Sequence, residues 1–355
     1  MRANAHETVT EAPSSVRFAR CFRVHLIHHT WLTDGCAFSA SGPAGDRLAT
    51  CATDGRVRIW DPSIGELVAT LRTDEPHPWG PVAFSHDGSR LAAGAVDGFW
   101  AVWHLTTEQV LATISGHVNM IQDISFSPDD RVLATASWDG TVKVWDLATG
   151  AALTTIAAQI QPATTANWVF GVAFSPDGHH AASAGSDAMV RVWDPATGQE
   201  RLTLPGGEGT VLMTAVAFSP DGTLTAGGQF NGPNPLWEAA TGRLILVLTG
   251  HSGGVVDLDF SADGALLASA SFDLQAKVRD LESGREVASL YGSAGRVVGV
   301  AFSPDGTRVA TAGEDGSVRI YAVRVEDLMA LARSSVTRSL TMEECPKYFH
   351  VEECP

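Results

Sequence analysis

Residues 116–145 read GHVNMIQDISFSPDDRVLATASWDGTVKVW, and this stretch decides the fold. It contains a Gly-His pair, an apolar run that ends at Phe126, an SPDD turn, a strand of small residues, an Asp-Gly turn and a strand that ends in Trp-Asp. Short apolar runs between turn signals predict antiparallel β-strands. The stretch therefore reads as one unit of three or four strands.

Similar units recur along almost the whole chain. Each is anchored by a phenylalanine, at Phe38, Phe84, Phe126, Phe174, Phe218, Phe260 and Phe302. Neighbouring anchors lie 42 to 48 residues apart. Seven units of this length predict an all-β, seven-bladed β-propeller.

The turns of the units carry their own signals. Ser-Pro-Asp-Gly occurs at 175–178, 219–222 and 303–306, where proline presets φ, aspartate caps the backbone and glycine accepts positive φ. Asp-Gly pairs, as at 139–140, favour two-residue hairpins. Turns at these intervals are typical of a blade built from a meander of strands.

The sequence predicts that the chain divides into three segments. Residues 1–15 are polar and expected to be disordered. The propeller is expected over 16–323, with residues 20–28 supplying the fourth strand that the last unit lacks, since an open ring exposes two sheet edges. Residues 324–355 break the repeat, and helical spacing of apolar residues near 326–334 predicts a short α-helical tail.

Composition narrows the classes of function. A net charge of −16 argues against a nucleic-acid binder, which needs clustered Lys and Arg. Five cysteines in 355 residues make no disulfide framework, and no apolar run reaches the length of a membrane span. A cytoplasmic, monomeric propeller is expected. Twenty-one Arg against three Lys hint at a bacterial source.

The units resemble the WD-repeat family over most of the chain, with Trp-Asp pairs at 60–61, 145–146 and 193–194. This resemblance implies a buried structural tetrad of His117, Ser137, Asp139 and Trp145, rather than a catalytic triad. In the sixth unit the corresponding residues are His251, Ser271 and Asp273, with Arg279 where tryptophan belongs. No other catalytic signature occurs, so an enzyme is not expected.

The resemblance also implies a partner-binding surface on the narrower face of the ring. The family's contact positions fall six and four residues before each anchor and just before the turn aspartate. They are Met120, Gln122, Trp138, Trp168, Phe170, Phe272, Arg296 and Glu314. These aromatics are either anchors for a protein or peptide, or packing beneath long loops. The alternative function is a propeller enzyme or a small-molecule binder that uses the central channel.

The tail is similar to that of bacterial WD-repeat signalling proteins, whose propellers often accompany STAND-type NTPase or regulator modules. This similarity implies a scaffold or sensor, alone or within a larger signalling assembly. Cys345, His350 and Cys354 leave three readings open: simple helical packing, which is favoured, a Cys345–Cys354 disulfide, or a metal or haem site. Three soft ligands fall short of the four of structural zinc, so no cofactor is expected.

Overall fold

In the computed structural model, residues 24–26, 33–38, 46–52, 54–157, 167–207, 209 and 212–323 are described. They form seven antiparallel sheets of four strands and contain no α-helix. Each sheet is one blade, so the predicted seven-bladed all-β propeller is confirmed. The tail helix and the N-terminal disorder that the sequence predicts fall on residues outside the described ones, as do Cys345, His350 and Cys354.

Blades 1 to 3 follow the chain in order. Blade 1 contains β2 (Thr33–Phe38), β3 (Leu48–Ala52), β4 (Arg56–Asp61) and β5 (Glu66–Leu71). Blade 2 contains β6 (Trp79–Phe84), β7 (Arg90–Ala95), β8 (Phe99–His104) and β9 (Val110–Ser115). Blade 3 contains β10 (Ile121–Phe126), β11 (Val132–Ser137), β12 (Thr141–Asp146) and β13 (Ala152–Ala157).

Blades 4 to 6 repeat the same order. Blade 4 contains β14 (Val169–Phe174), β15 (Ala181–Gly185), β16 (Met189–Trp193) and β17 (Glu200–Pro205). Blade 5 contains β18 (Met213–Phe218), β19 (Leu224–Gln229), β20 (Asn234–Glu238) and β21 (Leu244–Leu248). Blade 6 contains β22 (Val255–Phe260), β23 (Leu266–Ser271), β24 (Ala276–Asp280) and β25 (Glu286–Leu290).

The last blade joins the two ends of the described chain. It contains β26 (Val297–Phe302), β27 (Arg308–Gly313) and β28 (Val318–Ala322), together with the N-terminal strand β1 (Val24–Leu26). β1 pairs antiparallel with β28, with Val24 opposite Ile320. The prediction that an N-terminal strand completes the last blade is therefore confirmed, and the ring closes without an open sheet edge between its ends.

The core is divided among the junctions between neighbouring blades. One cluster joins Val142 and Ile156 of blade 3 to Val169 and Phe174 of blade 4. Another includes Leu48 and Trp60 of blade 1 with Ala310 and Val318 of blade 7, across the closure. Alanines recur in these clusters because small side chains let two twisted sheets approach closely. Each anchor phenylalanine is the last residue of its blade's first strand.

Candidate functional site

The first strand of every blade lines a central channel. A cavity of about 570 Å³ runs along it, bounded by β2, β6, β10, β14, β18, β22 and β26. Met120, Gln122, Phe170, Phe272 and Glu314 are among its lining residues. Several of the predicted contact positions therefore surround one opening, on the side of the ring that carries the turns between second and third strands, called here the narrow face.

The backbone ties the predicted positions of each blade together. In blades 2 to 7, the residue just before the turn aspartate, or its counterpart, donates its N–H to the carbonyl oxygen of the residue six positions before the anchor. The predicted pairs are Trp138 to Met120 at 3.0 Å, Ser186 to Trp168 at 3.0 Å, Phe272 to Gly254 at 2.9 Å and Glu314 to Arg296 at 2.9 Å. These side chains are therefore presented from hydrogen-bonded backbone and not from loose loops.

Three aromatic side chains from blades 3 and 4 form one group, the Trp138 cluster, defined as Trp138, Trp168 and Phe170. The two indoles stack, with ring centroids 4.9 Å apart and planes at 22°. The Phe170 ring lies at 78° to Trp138 and at 81° to Trp168, with centroid distances of 6.3 and 6.1 Å. All three side chains are half-buried. The structure thus brings these sequence-predicted residues together.

A second group, the Phe272 cluster, is defined as Phe230, Phe272 and Arg296, from blades 5 to 7. Phe230 and Phe272 meet edge to face at 6.0 Å. The guanidinium of Arg296 lies over the Phe272 ring, 4.5 Å from its centroid, and forms an ion pair with Glu314 at 3.7 Å. The eight predicted positions thus contain two separate aromatic groups, and Met120 and Gln122 line the channel beside them.

Sequence reasoning missed three exposed residues of this face. Val96 and Phe230 occupy the same position as Trp138, before the hairpin turn of their blades, and are 38% and 44% exposed. Leu274 is 45% exposed and has φ of +70°, at a turn position that is glycine in five of the other blades and alanine, Ala188, in blade 4. Val96 and Phe230 lie twelve residues after their anchor phenylalanines, as Trp138 does, so counting from the anchor would have found them, whereas nothing in the sequence signals the backbone of Leu274.

The tetrad in blade 3 differs from the expected one in its hydroxyl. His117 Nε2 lies 2.7 Å from Thr135 Oγ1, and Trp145 Nε1 donates to the same oxygen at 2.9 Å. Ser137 was expected there, but its Oγ donates to the carbonyl oxygen of Asn119 and accepts from the N–H of Asp139. The residue that links histidine to tryptophan is therefore Thr135.

The hydrogen bonds assign a structural role to His117. Its Nδ1 contacts Asp139 Oδ2 at 2.8 Å, so Nδ1–H donates to the carboxylate and Nε2 accepts from Thr135. Burial acts to raise the pKa of Asp139, but hydrogen bonds from His117 and Thr141 outweigh it and hold that pKa well below its ordinary value. Ser137 and Thr135 are both fully buried, and each hydroxyl is engaged in hydrogen bonds within the blade.

The turn aspartates are held in one of two ways. In blades 2, 3 and 6 a histidine from the preceding loop binds the aspartate, as in His77–Asp97 at 2.7 Å and His251–Asp273 at 2.9 Å. In blades 1, 4 and 7 an arginine four residues later does so. These pairs are Arg58–Asp54, Arg191–Asp187 and Arg319–Asp315. An arginine from the same hairpin therefore pairs with the turn aspartate in these three blades.

Blade 6 combines the expected histidine with an unexpected neighbour. His251 Nε2 contacts Ser269 Oγ at 2.8 Å, so Ser269 takes the role expected of Ser271. Arg279 stands where the other tetrad has tryptophan; it is buried, donates to the carbonyl oxygen of Thr249 and lies 3.5 Å from Glu286. Its Nε has no hydrogen-bond partner among the described residues.

Three carboxylates face the channel below the narrow face: Asp123, Asp257 and Asp259. Asp123 accepts from the N–H of Val172, and Asp257 from that of Val300, so each links its blade to the next. Burial raises the pKa of Asp123 and of Asp259 to about 7. Burial also raises the pKa of Asp257, helped by the charges of the other two.

Two absences concern the described part of the chain. It holds no group of three His, Cys, Asp or Glu side chains arranged for a metal ion. No helix in it is long and apolar enough to cross a membrane.

Comparison with known proteins gives a family match. The family model described as "WD domain, G-beta repeat" (WD40) matches residues 20–61, 108–146, 159–194, 242–280 and 284–322, more than half of the chain. The two repeats outside these matches are blades 2 and 5, whose third strands end in Trp-His and Trp-Glu instead of Trp-Asp.

Curated relatives are similar over short stretches. The chain is 35% identical over 88 residues to "WD repeat, SAM and U-box domain-containing protein 1" of Danio rerio. This match covers 25% of this chain and 18% of the relative. The chain is 29% identical over 102 residues to "WD repeat-containing protein 1" of Gallus gallus, a match that covers 28% of this chain and 16% of the relative. It is 33% identical over 95 residues to "Nuclear distribution protein PAC1" of Fusarium vanettenii, a match that covers 24% of this chain and 21% of the relative. The matches thus span about a fifth of each relative.

Proposed function

Because the chain belongs to the WD40 repeat family, we propose that it is a non-enzymatic scaffold or sensor that binds a protein or peptide through the narrow face. The Trp138 cluster carries this proposal. Partly exposed tryptophans on a rigid backbone are common anchors of protein interfaces, whereas the other seven tryptophans among the described residues are buried in blade junctions. The backbone hydrogen bonds described above hold the anchors still, so little ordering entropy is lost on binding.

The setting of this scaffold is also part of the proposal. The name of the zebrafish relative combines WD repeats with SAM and U-box domains, which supports a propeller that serves as the recognition part of a larger assembly. The charge of −16 and the few cysteines support a cytoplasmic ring that does not bind nucleic acid, and we propose that this ring is monomeric. A role in bacterial signalling has only the arginine-rich composition in its favour, and the three relatives above are eukaryotic.

Affinity capture from host lysate tests the proposal. Wild type is compared with Trp138→Asp/Trp168→Asp, and with Leu153→Asp as a matched control, because Leu153 is 57% exposed on the outer strand of the same blade. We expect a partner that wild type and Leu153→Asp retain and the double variant loses, with circular dichroism confirming the fold of all three. Equal capture by all three proteins would place the interface elsewhere.

A second candidate uses the channel, as a small-molecule site. The cavity volume is in the range of ligand pockets, and three carboxylates line it together. Their oxygens already accept backbone N–H groups from within and between blades, however, which is a structural role. A metabolite screen by thermal shift, repeated with Asp257→Asn, tests this candidate: a ligand that shifts only the wild type would support it.

A further inference from the structure

Blade 1 exposes an apolar patch at its outer edge, away from the narrow face. The Ile64 patch is defined as Ile64, Leu67 and Val68, whose side chains are 63%, 49% and 48% exposed. Ile64 lies in the turn between β4 and β5, and Leu67 and Val68 lie in β5, the outer strand. Exposed apolar side chains that adjoin one another mark surfaces where another segment docks.

The turn of blade 1 does not need an isoleucine. In the other blades that have this turn, the residue before its positive-φ position carries a hydroxyl: Thr107, Thr149, Thr197, Thr241 and Ser283. Thr149, for example, donates to Asp146 at 2.8 Å. In blade 1 the neighbouring Ser63 makes that bond instead, to Asp61 at 2.5 Å. Residue 64 is therefore free of a role in the turn, and its apolar side chain points to a contact outside it.

The described residues end beside this patch. The N–H of Val323 donates to the carbonyl oxygen of Thr307 at 3.0 Å. The next residue, Arg308, donates through Nη1 to the carbonyl oxygen of Pro62 at 3.1 Å, in the same turn as Ile64. In the other six blades the chain turns from the third strand into the outer strand, but in blade 7 the outer position is held by β1. The chain after Val323 therefore has to take another course, and blade 1 is its immediate neighbour.

We propose that residues 326–334 dock on the Ile64 patch of the same chain, with Leu328, Leu331 and Ala332 against it. These three residues have helical spacing, so a helix presents them on one face. Five steps along the chain from Val323 to Leu328 reach up to about 17 Å, and packed sheets lie about 10 Å apart, so the next blade is within range. Such a short link also gives the segment a high effective concentration at the patch, which favours it over a second copy of the chain. This docking lies outside the narrow face and does not depend on the proposed function.

Photo-cross-linking of the full-length chain tests the inference. Ile64→p-benzoylphenylalanine places a reactive group in the patch, and Thr241→p-benzoylphenylalanine places it at the corresponding, exposed turn position of blade 5. We expect irradiation of the first variant to join position 64 to a peptide within residues 324–334 of the same chain, and the second variant to give no such product. A cross-link from position 64 to residues 1–23, to a second copy or to no peptide, or equal cross-linking of the tail by both variants, would overturn the inference.

Hydrogen exchange followed by mass spectrometry measures the docking without a probe. Ile64→Ser/Leu67→Asn should speed exchange of residues 326–334 by about tenfold or more, because the docked segment loses its apolar contact. Leu244→Asn/Ile245→Ser changes the residues of blade 5 that correspond to Leu67 and Val68, and should leave that exchange unchanged. The same exchange rate in wild type and in Ile64→Ser/Leu67→Asn would contradict the docking.

A variant outside the blades guards against a change in the propeller itself. Leu328→Asp/Leu331→Asp leaves every described strand untouched, and it should abolish the cross-link from position 64 and the slow exchange of residues 326–334. Tryptophan fluorescence checks that the propeller of each variant is folded. A cross-link from position 64 to residues 324–334 that persisted in Leu328→Asp/Leu331→Asp would show that these leucines do not carry the contact, and would also overturn the inference.

Discussion

The hydroxyl of Thr135 accepts a hydrogen bond from the Trp145 indole at 2.9 Å and lies 2.7 Å from the imidazole of His117. The same arrangement links Trp60 to Thr50 and Trp193 to Ser183, at 2.9 and 2.8 Å. A short hydroxyl on the second strand of a blade therefore receives the indole of the third strand, whether or not a histidine completes the network.

Thr135→Val should destabilise the protein more than Ser137→Ala does. Valine keeps the shape of threonine but leaves the buried N–H of Trp145 and the ring nitrogen of His117 without a partner, which costs about 2–3 kcal/mol. Ser137 has only backbone partners, and its loss should cost about 1 kcal/mol. Urea unfolding followed by tryptophan fluorescence measures both, and the reverse order of effects would contradict the assignment of Thr135.

Arg279→Trp should stabilise blade 6. Ser269 Oγ contacts His251 as Thr135 Oγ1 contacts His117, so it can accept a hydrogen bond from the indole N–H of the new tryptophan. Gly250 keeps the space open, as Gly116 does for Trp145. Replacing a buried arginine whose Nε has no described partner by a hydrogen-bonded indole should gain about 1 kcal/mol.

The control for this substitution is Arg279→Leu, which removes the buried cation but brings no N–H donor. Thermal unfolding should rank the tryptophan variant above both wild type and leucine variant. A melting temperature of Arg279→Trp below that of wild type would show that the arginine has a role that its contacts with Thr249 and Glu286 do not explain.

The channel carboxylates make stability depend on pH. Their pKa values are raised in the folded state, to about 7 for Asp123 and Asp259, from 3.8 in the unfolded chain. The folded protein therefore binds more protons between about pH 4 and pH 7, and its free energy of unfolding falls as pH rises through that window. His251 opposes this trend because burial lowers its pKa, and carboxylates with a lowered pKa, such as Asp139, Asp273 and Asp315, oppose it only at the acid end of the window.

Asp257→Asn isolates the effect. Wild type should have a lower melting temperature and a lower free energy of unfolding at pH 8 than at pH 5.5. In the asparagine variant, the decrease in free energy of unfolding should be smaller by about 1 kcal/mol, since one buried charge no longer forms. Asp74→Asn, at an exposed position, removes the same formal charge and should not change the pH dependence. Parallel curves for wild type and Asp257→Asn would contradict the prediction.

Two hairpin turns should respond in opposite ways to substitution. Gly140 has φ of +88°, and a Cβ there would lie 2.7 Å from the carbonyl oxygen of Asn167, so Gly140→Ala should cost about 2 kcal/mol or more. Leu274 has φ of +70° at the corresponding turn, and Leu274→Gly should relieve the left-handed backbone and leave stability unchanged or raised by up to about 1 kcal/mol. Differential scanning calorimetry of both variants decides, and a loss of stability in Leu274→Gly would contradict this account.

The fold could be predicted from the sequence because the same pattern of strands and turns occurs seven times, with an anchor phenylalanine at the end of each first strand. The tetrad hydroxyl did not follow. Residues 135 and 137 point to the same side of β11, since side chains alternate with a period of two, and only strand register places Thr135 opposite Lys143 and within reach of Trp145. Phe230 was missed because the fifth unit has no aspartate in its turn from which to count.

Pairing of the aspartates with arginine was missed for a related reason. Arg58, Arg191 and Arg319 lie on third strands, where an alternating pattern reads as ordinary surface charge. Only the hairpin geometry shows that four residues bring the guanidinium back to the turn. Sequence spacing identifies the residues that repeat in every unit. Which side chain pairs with the turn aspartate of a given blade becomes visible only in the three-dimensional structure.

The pairing of β1 with β28 has a consequence for synthesis. Val24 is synthesised before the strands of blades 1 to 6, and its partner Ile320 follows only after those six blades have been made. The β1 strand therefore waits without its native neighbour while each later blade packs on the one before it, and the ring closes in a single late, non-local step. Stalled or shortened nascent chains would be left with an unsealed blade, exposed to proteases and to other unfinished copies.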